Sequence, residues 1–219
     1  MAEVDVELAI GRPANGLRPM VERYLGYRQS GVTLGVHRGL PSRNVTLIVS
    51  LADPIRIRRM PDPGQAPASL QALVGGMHVV PALIAQDPAQ SGLHVELNPL
   101  GVRALLGVSA EELSSQVIEL SALPGNWMKA LPDRLLEADT WQRQFAILDQ
   151  VLGVACDDNA VVAPEVGHAW QRILASGGDV SVTGLATEVG WSRHHLTKRF
   201  SHAFGLSPKQ AARVIRFER

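Results

Sequence analysis

The chain has 219 residues, of which 46% are apolar and 19% charged, with a formal net charge of zero. That length and apolar content support one large folded domain or two modest ones and exclude a disordered chain. Aromatic residues make up only 5%, so the core must be built from Leu, Val, Ile and Ala, and no fold class follows from composition alone.

The single cysteine, Cys156, excludes an internal disulfide and any zinc site built on several thiolates, and it suits a reducing, cytoplasmic setting. The N-terminal "MAEVDVELAIG" alternates and is acidic, unlike a secretory signal. The longest apolar stretch, "ALVGGMHVVPALIA" at 72–85, is shorter than the roughly 18 residues of a spanning helix and carries Gly, His and Pro. A soluble protein without a membrane partner is expected.

The zero net charge hides an asymmetry. Residues 1–159 hold 13 Lys/Arg against 17 Asp/Glu, a net of −4, and residues 160–219 hold 8 against 4, a net of +4. Four of those eight cations fall between Arg193 and Lys209. An acidic body with a small basic tail is a layout that nucleic-acid-binding modules use, although small helical tails are also basic for solubility.

In chain order, residues 4–98 read as strands and turns. "VTLIVSL" (45–51) and "IRIRRM" (55–60) are β-branched or alternating runs separated by a turn, "PDPGQAP" (61–67) is a loop, and "LQALVGGMHVVPALIAQ" and "SGLHVELNPLG" supply further strands. Helical signals begin near Pro99. Ser109 and Glu112 form a capping box that predicts a short helix to about Val117. Another helix opens at Asp139 or Thr140, with Trp141, Phe145, Leu148 and Leu152 on one stripe. The expected class is α+β: a β-rich N-terminal domain over 1–158, barrel or sandwich and possibly cupin-like, with packed helices, then an all-α unit over 159–219.

The tail is the most informative part. Val166, Trp170, Ile173 and Leu174 share one helical face that ends at a Gly-Gly pair. Ser181 caps a helix of about two turns, Gly190 stands where a left-handed turn is needed, and Ser192 caps a helix over Arg193–Phe204 closed by Gly205. Ser207-Pro208 starts another. A short helix, a glycine turn and a longer helix make the helix-turn-helix outline, whose second helix enters the major groove. Leu196, Phe200, Ala203 and Phe204 fall on one face and leave His194 and Lys198 opposite. A metal site on His194 and His195 is excluded by geometry, since neighbours on a helix point about 100° apart. A solvated amphipathic helix is the plain alternative.

"VSVTGLATEVGWSRHHLTKRFSHAFGLSPKQAARVIRFER" resembles the first half of an AraC-type DNA-binding domain, in its S-x-x-x-L-A-x-x-x-G-[YW]-S-x-x-[HY]-L-x-[RK]-x-F core followed by G-x-S-P. The upstream "LNPLGVRALLGVSAEELSSQVIELSALPG" is similar to the N-terminal domain of one bacterial AraC-type subgroup. The resemblance implies a transcription regulator whose N-terminal domain senses an effector or dimerises. It implies that His194, Thr197 and Lys198 face DNA, that Arg193 and Arg199 contact phosphates, and that His195 is packed. The expected partners are double-stranded DNA, a small-molecule effector, a second copy of the chain and, for an activator, RNA polymerase; no cofactor or metal is expected. Such domains carry two helix-turn-helix units, and this chain stops at "VIRFER", so the second reader is expected to be absent from it.

Three other readings compete. A repair-methyltransferase activity needs an activated cysteine, and the acids after Cys156 in "GVACDDN" disfavour a thiolate. A metal-dependent cupin-like enzyme would use His94 and Glu96, alternating on one strand, with His37 or His78. A protein-interaction module with a vestigial DNA unit would dimerise without binding DNA. The leading expectation is a regulator that is not an enzyme.

Overall fold

The computed structural model describes residues 4–157, 160 and 162–219. Among the described residues, ten strands form two antiparallel sheets that face each other as an open sandwich. One sheet runs, edge to edge, β1 (Asp5–Gly11), β2 (Val21–Ser30), β9 (Gln90–Leu97), β4 (Val45–Ser50), β7 (Ala72–Gly75) and β10 (Val117–Glu119). The other runs β3 (Gly35–Gly39), β8 (Ala82–Gln86), β5 (Ile55–Arg59) and β6 (Ala68–Leu70). Among the described residues each sheet keeps two unpaired edges, so the arrangement is a sandwich and not a closed barrel.

The period-2 alternation explains how the larger sheet is used. Val45, Leu47 and Val49 are fully buried on one face with their cross-strand neighbours Leu97, Val95 and Leu93, while Thr46, Ile48, His94 and Glu96 turn to the other face and are only half-buried. The apolar face is covered by helices. α1 (Val102–Leu106), α2 (Asn126–Leu136) and α3 (Trp141–Ala155) contribute Leu105, Leu131, Leu148 and Leu152 to that core. α3 is the helix expected from the stripe at Trp141, with Thr140 as its cap. Gly26 makes room for it, because a Cβ there would lie 2.4 Å from the Trp141 ring. Tyr24 stacks on Phe145 at 5.8 Å, and its hydroxyl donates to Asp149 at 2.9 Å.

One element differs from expectation. Ser109 and Glu112 do exchange capping hydrogen bonds, at 2.8 and 3.2 Å, but the chain after them turns and enters β10 instead of a helix to Val117. The cap is satisfied by one turn because Val117–Glu119 pairs with β7. α2, for which the sequence offered no expectation, holds Pro132 in its interior. Its buried face of Met128, Leu131 and Leu135 outweighs the one hydrogen bond that the proline removes.

The tail forms α4 (Pro164–Ala175), α5 (Val182–Glu188), α6 (Arg193–Phe204) and α7 (Pro208–Phe217), with Ser181, Ser192 and Ser207 capping as read. The domain boundary expected at 158/159 lies outside the described residues. The hydrophobic core itself is continuous from Leu17 to Ile215. No helix among the described residues is long and apolar enough to cross a membrane.

Candidate nucleic-acid interface and interior cavity

α6 is held by its inner face. Leu196, Phe200 and Phe204 are fully buried, Trp170 of α4 meets the Phe204 ring at 4.9 Å, and the two phenylalanines meet edge-on at 4.5 Å. Ser192 accepts the His195 backbone N–H at 3.1 Å and fixes where the helix begins. The turn before it uses Gly190 at φ +71°, a conformation that costs other residues about 1–2 kcal/mol.

With the inner face locked, the residues singled out in the sequence take defined places. Arg193, His194, Lys198 and Arg199 are exposed, and Thr197 is half-buried on the flank. All five lie on this one helix, with His194, Thr197 and Lys198 within about 100° around its axis and Arg193 and Arg199 to either side of them. His195 is also exposed, with its ring edge-on to Trp191 at 4.6 Å, so it is less enclosed than the packed role implied. The far end of α6 is tethered: His202 Nδ1 lies 2.5 Å from Glu111, and Ser114 Oγ donates to the Gly205 carbonyl at 2.6 Å.

A second contact that sequence reasoning missed joins α4 to α5. Glu188, at the end of α5, accepts from Arg172 at 2.8 and 3.1 Å and stands 3.3 Å from His168, both on α4. The hydrogen bond from Arg172, then that from His168, holds its carboxyl down at about 2. Nothing local signals this, since the partners lie 16 and 20 residues away.

Between the two sheets lies a cavity of about 840 Å³, within the range of small-molecule sites. Its floor is the half-buried face of the larger sheet, including Thr46, Ile48, His94 and Glu96; Leu8, Leu40 and Phe217 stand at its exposed margin. His94 Nε2 and His78 Nδ1 are buried without a hydrogen-bond partner. Burial drives both imidazoles toward the neutral form. Glu96 is held by Arg23 at 2.7 Å and by the Asn44 amide at 3.3 Å. His37 and His78 also line the cavity, but the described residues contain no group of three or more His, Cys, Asp or Glu placed to hold a metal ion.

The end of α7 reaches this cavity. Glu218 accepts the Arg43 backbone N–H at 2.9 Å, and the Arg43 guanidinium pairs with Glu22 at 2.7 Å. Burial pushes the Glu22 carboxyl up, but hydrogen bonds from Arg43 and Asn44 and the charges of Arg43 and Arg23 together hold it below its ordinary 4.5. A carboxyl lowered by folding contributes stability above its unfolded value and loses it as pH falls through the folded one. Thermal melting followed below pH 4.5 is therefore expected to fall less steeply for Glu22→Gln than for the wild type.

No protein-family model and no curated protein matches the chain. Among solved structures it aligns with ToxT from Vibrio cholerae O395 bound to (E)-4-(8-methylnaphthalen-1-yl)but-3-enoic acid, at 7% identity and TM-score 0.33, over 96% of this chain and 99% of that one. An unliganded alanine variant of ToxT from strain SCE256 aligns at 7% identity and TM-score 0.34, over 98% of both chains. Superposition that loose transfers neither a fold nor a role.

Proposed function

We propose that the chain is a DNA-binding transcription regulator of AraC type, a binding protein and not an enzyme. The observation that carries this reading is α6: a helix locked by three buried side chains that turns Arg193, His194, Lys198 and Arg199 to solvent, behind a short helix and a glycine turn. In a helix-turn-helix the first turns of that helix meet base edges. His194, Thr197 and Lys198 take that position, and Arg193 and Arg199 flank it for phosphates. Each phosphate contact releases counterions, giving a slope of affinity against salt of about −0.9 per contact on a logarithmic scale. The test is a salt titration of duplex binding. Arg199→Ala should flatten the slope by roughly one contact; an unchanged slope removes Arg199 from the interface, and no binding at low salt rejects the reading.

The interior cavity supports an effector site as the sensing half of the same reading. Its lining holds the carboxylates of Asp53, Asp87, Glu96 and Glu218 against the guanidinium of Arg28, which is itself engaged by Glu7. Asp87 is paired with Arg56 and Glu96 with Arg23, so most of these charges are spent among protein groups, and a largely apolar, uncharged molecule whose hydroxyl or amide meets neutral His94 fits. A Cβ built on Gly75, in the cavity wall, meets no atom within 4 Å. Gly75→Phe should therefore fold normally and abolish the thermal stabilisation given by aryl alcohols. Stabilisation retained by the variant places those alcohols elsewhere.

A further inference from the structure

β1 is the last strand of its sheet, paired with β2 along seven residues in unbroken register, and no strand among the described residues pairs its other edge. Val6, Leu8 and Ile10 stand on the cavity-side face of this edge, 53%, 69% and 70% exposed. The opposite face is already occupied, because Glu7 accepts from the Trp141 ring N–H at 2.6 Å and pairs with Arg28 at 3.1 Å. A straight apolar edge is a hazard that proteins blunt with charged side chains, Lys above all, with Pro or with a bulge. Residues 5–11, "DVELAIG", contain no Lys, Pro or bulge, and of their two acids Glu7 is turned to Trp141 and Arg28 on the opposite face.

We propose that this edge pairs with the same edge of a second copy, β1 antiparallel to β1 about a twofold axis centred on Leu8. That register sets Leu8 opposite Leu8 and Val6 opposite Ile10, apolar on apolar along the whole exposed face. It sets Glu7 opposite Ala9 and Asp5 opposite Gly11, so each acid faces a small neutral residue. Centring on Glu7 opposes two carboxylates, and centring on Ala9 leaves Asp5 and Val6 without partners. A twofold contact uses each edge once and closes as a dimer instead of growing into a filament. Val6 and Leu8 also line the cavity, so pairing brings a second strand to its mouth. The pairing is independent of the DNA reading, since neither its residues nor its test involves α6.

The test is the mass of the full chain by sedimentation equilibrium, with Leu8→Lys and with single cysteines placed in a Cys156→Ala background. The expected results are a doubled mass for the wild type and a folded monomer for Leu8→Lys, whose melting no longer depends on protein concentration, because that side chain is exposed in the single chain. Directly opposed residues have Cβ atoms about 4.5–5.5 Å apart, close enough to cross-link with small adjustment. Leu8→Cys should oxidise to a covalent dimer, and Glu7→Cys, facing Ala9, should not. A wild type that stays monomeric at every soluble concentration overturns the proposal. So does a dimer that survives Leu8→Lys, a dimer in which Leu8→Cys fails to cross-link, or a mass that grows into open polymers. If Leu8→Lys fails to fold, the cysteine pair decides alone.

Discussion

Phe200→Ala is expected to lower the unfolding free energy by about 3–5 kcal/mol, the range for removing a buried aromatic side chain. Phe200 is fully buried between Trp170, at 6.3 Å, and Phe204, at 4.5 Å, in the cluster that joins α4 to α6. For a chain of this size that is a fall in melting temperature of roughly 10 °C. Duplex binding should weaken with it, since α6 keeps its outward face only while the inner face is packed. Lys198→Ala, two residues earlier on the exposed face, should change stability by no more than about 0.5 kcal/mol. Urea unfolding of the two variants separates the faces of one helix: equal stabilities would mean that α6 is not anchored as described.

Gly178→Ala is expected to cost about 3 kcal/mol, and Gly190→Ala only about 1 kcal/mol. Both glycines have positive φ, +81° and +71°. At Gly178 an added Cβ would also lie 2.2 Å from the Ala212 carbonyl oxygen on α7, a backbone atom that cannot step aside. Arg216 donates to the Gly178 carbonyl at the same junction, so forcing it open strips a second contact from α7. At Gly190 nothing lies within 4 Å, and the left-handed strain stands alone. Gly190→Asn should recover most of that loss, because Asn tolerates the left-handed region. Matching losses at Gly178 and Gly190 would contradict a close α4–α7 junction.

What was legible in the sequence follows the range of the interactions involved. The tail helices could be read because their caps are local: Ser181, Ser192 and Ser207 each accept a backbone N–H within three residues. The two faces of α6 follow from the 3.6-residue period, and the buried set of Leu196, Phe200 and Phe204 agrees with it. Strands β4, β5 and β9 announce themselves by β-branching and alternation. The element that was misread is one in which tertiary contacts override a local signal. Pairing with β7 makes a strand of Val117–Glu119 after a genuine capping box.

The cavity was not legible. His94 and Glu96 drew notice as alternating residues that suggested a metal site, but their surroundings depend on cross-strand register, which sets His94 between Leu25 and Ile48 and Glu96 between Arg23 and Thr46. That register turns a suspected ligand pair into a neutral imidazole beside a carboxylate already tied to arginine. The Glu188 clamp and the His202–Glu111 tether were hidden for the same reason, as charged partners on separate elements leave no periodic trace.

The most direct measurement is the affinity of the full chain for its own upstream promoter duplex and for random duplex of equal length, across salt, with His194→Ala and Lys198→Ala. A reading α6 predicts that affinity falls steeply with salt for both duplexes, and that each variant loses preference for the promoter by about 1–3 kcal/mol while remaining folded. Promoter preference unchanged in both variants, or no salt-sensitive binding at all, would contradict the assignment of α6 to the major groove.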